Sequence, residues 1–404
     1  MSDATYVRLM NLLGPEGIER DGHGLPRAVP ESDDALALVC QIAQQEGWRF
    51  RLEGLGSWVP PDGPADFALS TRGLDRIVQV SPADLVATVQ SGVRLEALRA
   101  ELQRHGLWLA LDPPGRPDRT IGSVVATGTA GPLRHGYGPV RDHILGCTVA
   151  TGDGRLVSAG GRVVKNVAGY DLTKLQVGGF GGFGVLTELH LRLRASPPMD
   201  LTLVATGGRH ALIGAAHDAV EAQVGVVALE LLSPALAALP EWALAARIVG
   251  TSDGSQADAA QLARITGLKW ERYGTERAAS FWSLVARAAL DGPVAIRLGA
   301  LVDGLPDLTD LVIDTLGEEL LSAGIGSGML RWSGAADTES LRRLRRRAAE
   351  RETPLTLERA PWPCRRAVGH FGAYREGVGT LVGRLRTTFD PKGTIAVALE
   401  GRDD

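Results

Sequence analysis

Residues 120–188 read TIGSVVATGTAGPLRHGYGPVRDHILGCTVATGDGRLVSAGGRVVKNVAGYDLTKLQVGGFGGFGVLTE, a stretch dense in glycine and bracketed by two apolar runs of strand character. Glycine lets main-chain N–H groups approach a ligand closely, and its tolerance of positive φ lets successive amides converge on an anion. A shorter loop of the same kind, Gly54-Leu55-Gly56-Ser57, stands upstream between WRFRL and a proline-rich turn. Two anion-cradling loops thus flank one compact α+β unit. Thr120 is placed to cap an apolar helix over 121–126. That helix is expected to aim its start, and its unpaired N–H groups, at the bound anion. Ser57 and Thr120 can add hydroxyl donors.

Gly179-Phe180-Gly181-Gly182-Phe183-Gly184 spells the dinucleotide fingerprint G-x-G-x-x-G. A true one opens a helix within a βαβ unit. The segment that follows, Val185 to Arg194, alternates apolar and polar residues with period two and reads as a strand. The Rossmann reading therefore fails, and Phe180 and Phe183 are assigned to core packing.

Working outward, Met1 to Leu25 reads as a short helix and an extended lead-in. Ser32 or Asp33 caps a helix carrying Leu36, Val39, Ile42 and Ala43 on one face, and Gly47 ends it. Strands are expected at 48–52, 67–70, 77–80 and 87–91, then a helix at 95–105, a strand at 107–109 and a further strand at 144–150. A hairpin is expected to turn at Gly152-Asp153-Gly154. The loop Asp112-Pro-Pro-Gly-Arg-Pro-Asp118 delivers the chain rigidly to residue 120. Pro197-Pro198 breaks the strand and marks a boundary, after which longer helical runs alternate with short strands and no second phosphate loop occurs.

The 404 residues exceed one typical core. A net charge of −4 and a pI near 6.1 argue against nucleic acid as the main partner. Cys40, Cys147 and Cys364 stand far apart with no C-x-x-C pair, which excludes a self-contained iron–sulphur cluster and indicates a reducing compartment. No signal-like leader and no run of 18 apolar residues occurs, so the chain is expected to be cytoplasmic. No metal site is expected, since His370 stands without a second histidine nearby.

Five ordered blocks carry a family resemblance: Gly54, Gly56 and Ser57; Thr120 to Gly131; Arg141-Asp142; Lys165 to Leu172; and Gly184 to Glu188. Together they resemble the FAD-binding domain of the vanillyl-alcohol oxidase (PCMH-type) superfamily, and within it the FAD-binding E subunits of glycolate oxidases. The resemblance implies an α+β fold: a lead-in (1–27), a PCMH-type FAD-binding domain of two α+β subdomains (28–197), and a cap domain with an antiparallel sheet and flanking helices (198–404). It implies flavin contacts from Gly54, Leu55, Gly56, Ser57 and Trp58, from Pro114 and Gly115, from Thr120, Ile121, Gly122, Ser123, Ala126, Thr127, Gly128 and Gly131, and from Gly184 and Val185. Ser57-Trp58 stand where covalent members commonly carry a histidine, and Cys147 lies in an apolar strand, so the FAD is expected to be non-covalent. Phe281-Trp282, Ile296 to Leu298, Met329 to Trp332 and Arg386 to Lys392 resemble the same subunits, whereas the tail after Gly393 departs from the family's Asn-Pro-Gly-Arg.

The resemblance further implies a 2-hydroxy acid substrate such as glycolate, and as partners a D-type flavoprotein subunit and an iron–sulphur subunit. Any contact with the inner face of a membrane would run through those partners. A stand-alone 2-hydroxy acid dehydrogenase and a non-catalytic flavin-fold scaffold are the alternatives. Oxidising a 2-hydroxy acid requires a base for the hydroxyl proton and a cation for the carboxylate. Arg297 and Arg331 lie in short apolar strands and are candidates for the cation; the competing reading pairs them internally with Glu230 or Glu358. His135 is a candidate to approach the flavin ring. The Arg-rich run 341–351 is assigned to a solvated helix face.

Overall fold

The computed structural model describes residues 2–22, 24–58, 63–162, 171–288, 291–372 and 376–396. Six of the eight residues of the Lys165–Leu172 block, and the departing tail beyond Ala396, lie outside them. Among the described residues three large sheets build the molecule, with a two-stranded one pairing Arg194–Ala195 with Leu107–Trp108.

The first sheet orders Ile18–Arg20, Pro26–Ala28, Phe67–Ser70, Phe50–Glu53 and Ile395–Ala396; its first pair is antiparallel and the rest parallel. Helix Asp33–Glu46 packs Leu36, Val39, Cys40 and Ala43 against it. Ser32 Oγ accepts from Ala35 N at its start, and Gly47 ends it in the left-handed conformation. The chain returns to this sheet at its far end: Ile395 pairs with Phe50, and both Asp390 carboxylate oxygens accept amides, from Thr394 and Ile395.

The second sheet is antiparallel, in the order Ile77–Ser81, Val86–Gln90, Val185–Arg192, Ile144–Ala150 and Leu156–Gly160. Helices Leu95–Arg104 and Ile121–Thr127 close its core. Val185–Arg192 is a strand in the middle of that sheet, so the glycine run before it opens no helix. Cys147 is buried here, and burial pushes its thiol up to about 11.

The third sheet has eight antiparallel strands and a repeat that the sequence conceals. Met199–Gly207, Arg209–Glu221, Ala228–Leu232, Trp242–Gly250, Ser252–Thr266 and Glu271–Tyr273 form one βαββαβ unit. Val294–Gly299, Leu305–Leu316, Leu320–Gly324, Met329–Gly334, Thr338–Ala349 and Leu355–Arg359 form a second. The second strands of the two units pair edge to edge, Leu231 opposite Ala323, which makes one continuous sheet. Period-two alternation sorts its side chains. Leu229, Leu231, Ile296, Leu298, Leu321, Leu330, Trp332 and Leu357 join the helices in the core, while Glu230, Arg297, Arg331 and Glu358, set apart from that core, line the opposite face.

Three hydrogen bonds fasten that face to the second sheet's loops. Gly115 N donates to Ala286 O (2.8 Å), Gly136 N to Val227 O (3.1 Å), and Arg297 Nη1 to Gly128 O (3.1 Å).

Candidate functional site

A cleft of about 900 Å3, partly open to solvent, lies where the two glycine loops meet. Gly54, Leu55, Gly56, Ser57 and Trp58 line it from one side; Thr120, Gly122, Ser123, Ala126 and Thr127 line it from the other, and Gly184 closes one end. The loops approach so closely that a Cβ on Gly54 would collide with Thr120 Oγ1. Ser70 Oγ donates to Gly54 O (2.6 Å), which holds the first loop in place. Beneath it, Arg27 bridges Glu53 (2.5 Å) and Arg51 bridges Asp21 (3.0 Å), stiffening the strand that carries the loop.

The two loops divide the donors unequally. Among the described residues no acceptor takes the N–H groups of Leu55, Gly56 or Ser57. At the helix start the amides are already engaged: Ile121 N donates to Val93 O (2.9 Å), Gly122 N to Ser91 O (2.8 Å), and Ser123 N to Thr120 Oγ1 (3.3 Å). The expectation that this helix offers unpaired amides is therefore corrected. A chain segment at Ser91–Val93 runs beside the helix and takes them. What the second loop offers instead is hydroxyls, and one cation.

That cation is Arg119, which motif reasoning passed over. Only 1% exposed, it donates from Nε to Ser123 Oγ (3.1 Å), from Nη1 to Pro114 O (2.9 Å), and from Nη2 to Thr127 Oγ1 (2.6 Å) and Ser123 O (3.2 Å). Its guanidinium stacks 4.0 Å over the Trp58 ring. Every direct partner is neutral, and burial lowers its pKa to about 9. A buried cation whose direct partners are all neutral, behind Ser123 and Thr127 of the cleft lining, would be stabilised by an anion nearby. The Trp58 Nε1 and Ser91 Oγ atoms are buried without a partner at the same place. The donors that line the cleft, free amides and hydroxyls, fit a diphosphate.

Pro114 and Gly131 line a second, inner cavity of about 620 Å3 rather than the cleft. A Cβ on Gly131 would collide with the Asp112 carbonyl, so only glycine lets these two loops close. Gly115 faces a third, outer cavity, while Ile121 and Val185 are core and Gly128 acts through its carbonyl. Arg331 and Glu230 line the inner cavity with Glu358. Glu358, 1% exposed, bridges both candidate cations: Arg297 Nε at 3.2 Å and Arg331 Nε at 3.3 Å. Both are thus internally paired, and no described residue accepts from the Arg331 Nη groups. Glu230 is 6% exposed with no hydrogen-bond partner among the described residues, and burial raises its carboxyl to about 8. His135 lies away from all three cavities, its ring packed on Gly326, with its pKa lowered by burial. Phe183 is core, but Phe180 differs from expectation: at φ 50° it lines the cleft, edge-on to His370 and Phe371. His370 is buried and its pKa is pushed down to about 3, with no cluster of metal ligands among the described residues.

Residues 27–160 match the family described as the FAD binding domain. Over that third of its length the chain is similar to FAD binding domains. It is 43% identical over 128 residues to the glycolate oxidase subunit GlcE of Escherichia coli, covering 31% of this chain and 37% of that protein. It is 28% identical over 260 residues to the glycolate oxidase subunit GlcD of Bacillus subtilis, covering 58% and 55%. The matching stretches thus span between about a third and a little over half of those relatives. The fold of the whole chain is similar to a 4-ethylphenol oxidase from Gulosibacter chungangensis, with a TM-score of 0.75 at 13% identity, covering 99% of this chain and 97% of that one. An alkyldihydroxyacetonephosphate synthase gives 0.72 at 14% identity, covering 98% and 84%.

Proposed function

We propose that this chain is an FAD-dependent oxidoreductase acting on small 2-hydroxy acids, and that it serves as the FAD-binding subunit of a glycolate oxidase-like complex. The observation that carries the reading is the junction of two cavities at Arg119. This residue holds Ser123 and Thr127, which line the cleft, and its Nη1 holds the carbonyl of Pro114, which lines the inner cavity. Leu55–Ser57 and Ser123 would hold the flavin nucleotide. When bound, FAD supplies the acceptor for two electrons.

The chain's own residues supply the rest. Arg331, oriented by Glu358, holds the substrate carboxylate through its Nη groups. The apolar walls Leu236, Val285 and Ile296 exclude water. Attachment is non-covalent in this reading: no histidine or cysteine stands in the first loop, and Cys40 and Cys147 are buried with their thiols pushed up by burial. A D-type flavoprotein and an iron–sulphur protein are the proposed partners. The reading places the chain in the cytoplasm; no described helix is long and apolar enough to cross a membrane.

The test is absorbance of the purified chain mixed with FAD and then with glycolate or D-lactate. Bleaching only when D-type and iron–sulphur subunits are added supports the subunit reading. Bleaching of the chain alone makes it a stand-alone dehydrogenase, and failure to retain FAD makes it a scaffold.

A further inference from the structure

Asp112 stands in the wall between two cavities. It lines the inner one with Glu230 and Arg331, and it lines the outer one, about 1380 Å3 and open, with Arg99, Trp108 and Arg247. Both of its carboxylate oxygens accept from Leu133 N, at 3.0 and 3.2 Å, so the group is fixed rather than free to swing. Gly131 packs on its carbonyl and leaves no room to back away. Among the described residues no cationic side chain is within hydrogen-bond distance of it. Arg99 donates to Leu111 O (2.9 Å) and Arg247 is held by Asp200 (2.5 Å), so both act on Asp112 only through space.

We propose that Asp112 accepts the hydroxyl proton of the substrate in the inner cavity and passes it to water in the outer cavity. The inference rests on the 2-hydroxy acid reading above. In the step the O–H bond breaks and its proton moves to the Asp112 carboxylate, while the C2–H bond breaks and its electron pair leaves to oxidised flavin as a hydride. A 2-oxo acid remains. Glu230 completes the arrangement as a neutral acid facing the same cavity, where a second negative charge beside Asp112 would repel the substrate carboxylate.

The charges around the pair agree. Arg99 and Arg247 pull Asp112 down from the outer side, with Asp200 and Tyr137 behind Arg247; Arg331 and Glu358 face it from the inner side. Burial outweighs these attractions and raises Asp112 to about 6, while burial raises Glu230 to about 8, with Asp112 adding to the rise. A proton acceptor must be ionised, so the rate rises as pH passes about 6; Glu230 must stay protonated, so the rate falls above about 8.

The test uses the FAD-loaded protein, with whatever partners the wild type needs for bleaching, and compares wild type with Asp112→Asn and Glu230→Gln. Asparagine keeps an oxygen for Leu133 N but cannot take the proton. We expect Asp112→Asn to slow bleaching about 100-fold or more and to lose the acid limb of the pH profile. Oxalate, a non-reacting dicarboxylate, should perturb the flavin spectrum of both proteins with the same Kd. Infrared spectra of the FAD-loaded protein without substrate should show a carboxylic-acid band titrating near pH 6 that Asp112→Asn lacks. Glu230→Gln, which covers the case of a misfolded Asp112→Asn, should keep the acid limb and lose the alkaline one. A wild type that bleaches beside an Asp112→Asn protein with the same rate and profile overturns the proposal alone, as does an unchanged alkaline limb in Glu230→Gln. A wild type that no 2-hydroxy acid bleaches overturns the substrate reading and the proposal with it.

Discussion

Arg119 shows what a motif search misses. Its neighbours Thr120 to Ser123 form a recognisable block, but an arginine just before a helix cap is a common surface residue, and nothing in its spacing announces burial. Only the folded chain shows the guanidinium threaded between Pro114, Ser123 and Thr127 with Trp58 stacked on it. Lysine keeps the charge but has no planar fork to reach acceptors on three residues at once. Arg119→Lys should therefore weaken FAD binding about tenfold or more, measured by quenching of flavin fluorescence on titration. An unchanged Kd would remove the residue from the site. Gly54 tests the same contact between loops from the opposite side. An added methyl meets Thr120 Oγ1, so Gly54→Ala should lose FAD while keeping its far-UV circular dichroism. Glu358 sits between two arginines, and removing its charge leaves both buried without a counter-ion. Loss of one partner of such a buried pair costs about 3–5 kcal/mol, so Glu358→Gln should lower the melting temperature by several degrees or more.

At the scale of elements, sequence legibility followed local chemistry. Ser32 and Gly47 bracket the helix 33–46 because a hydroxyl and a left-handed glycine satisfy its ends, and Thr120 caps the next site helix in the same way. Thr120→Ala should cost about 1 kcal/mol in urea unfolding, the usual value for a lost cap. Period two correctly read Val185–Arg192 as a strand and so dismissed the fingerprint glycines before it. The same reasoning could not see that Ser91–Val93 consumes the amides of Ile121 and Gly122, because that pairing joins residues about 30 apart in the chain. The Arg-rich helix is a mixed case. Arg343 and Arg346 are solvated, but Arg342 and Arg345 donate to the carbonyls of Ala367 and Gly369 and pin the turn that follows.

At the scale of the molecule, the doubled βαββαβ sheet explains why Glu230, Arg297, Arg331 and Glu358 share one face although they come from four strands and span 129 positions. Alternation decides the face, and the edge pairing of Ala228–Leu232 with Leu320–Gly324 brings the halves together. Neither is visible before the strand order is known. The cavity under that face stores an unfavourable titration. Glu230 has a folded pKa above its unfolded one, so the native state holds a proton that the unfolded chain has already released, and stability falls as pH rises from about 4.5 toward 8. Glu230→Gln should thus raise the melting temperature relative to wild type above pH 8 and change it little below pH 4.5. An equal shift at both would assign the effect to packing.

The parallel pairing of Ile395 with Phe50 means that the strand presenting the first nucleotide loop keeps a bare edge until residues some 340 positions later have been made. A ribosome-bound chain lacking them exposes a row of amides and carbonyls ready to zip onto a neighbour. Excising the nucleotide-binding half by itself would therefore yield a sticky fragment rather than a smaller yellow protein.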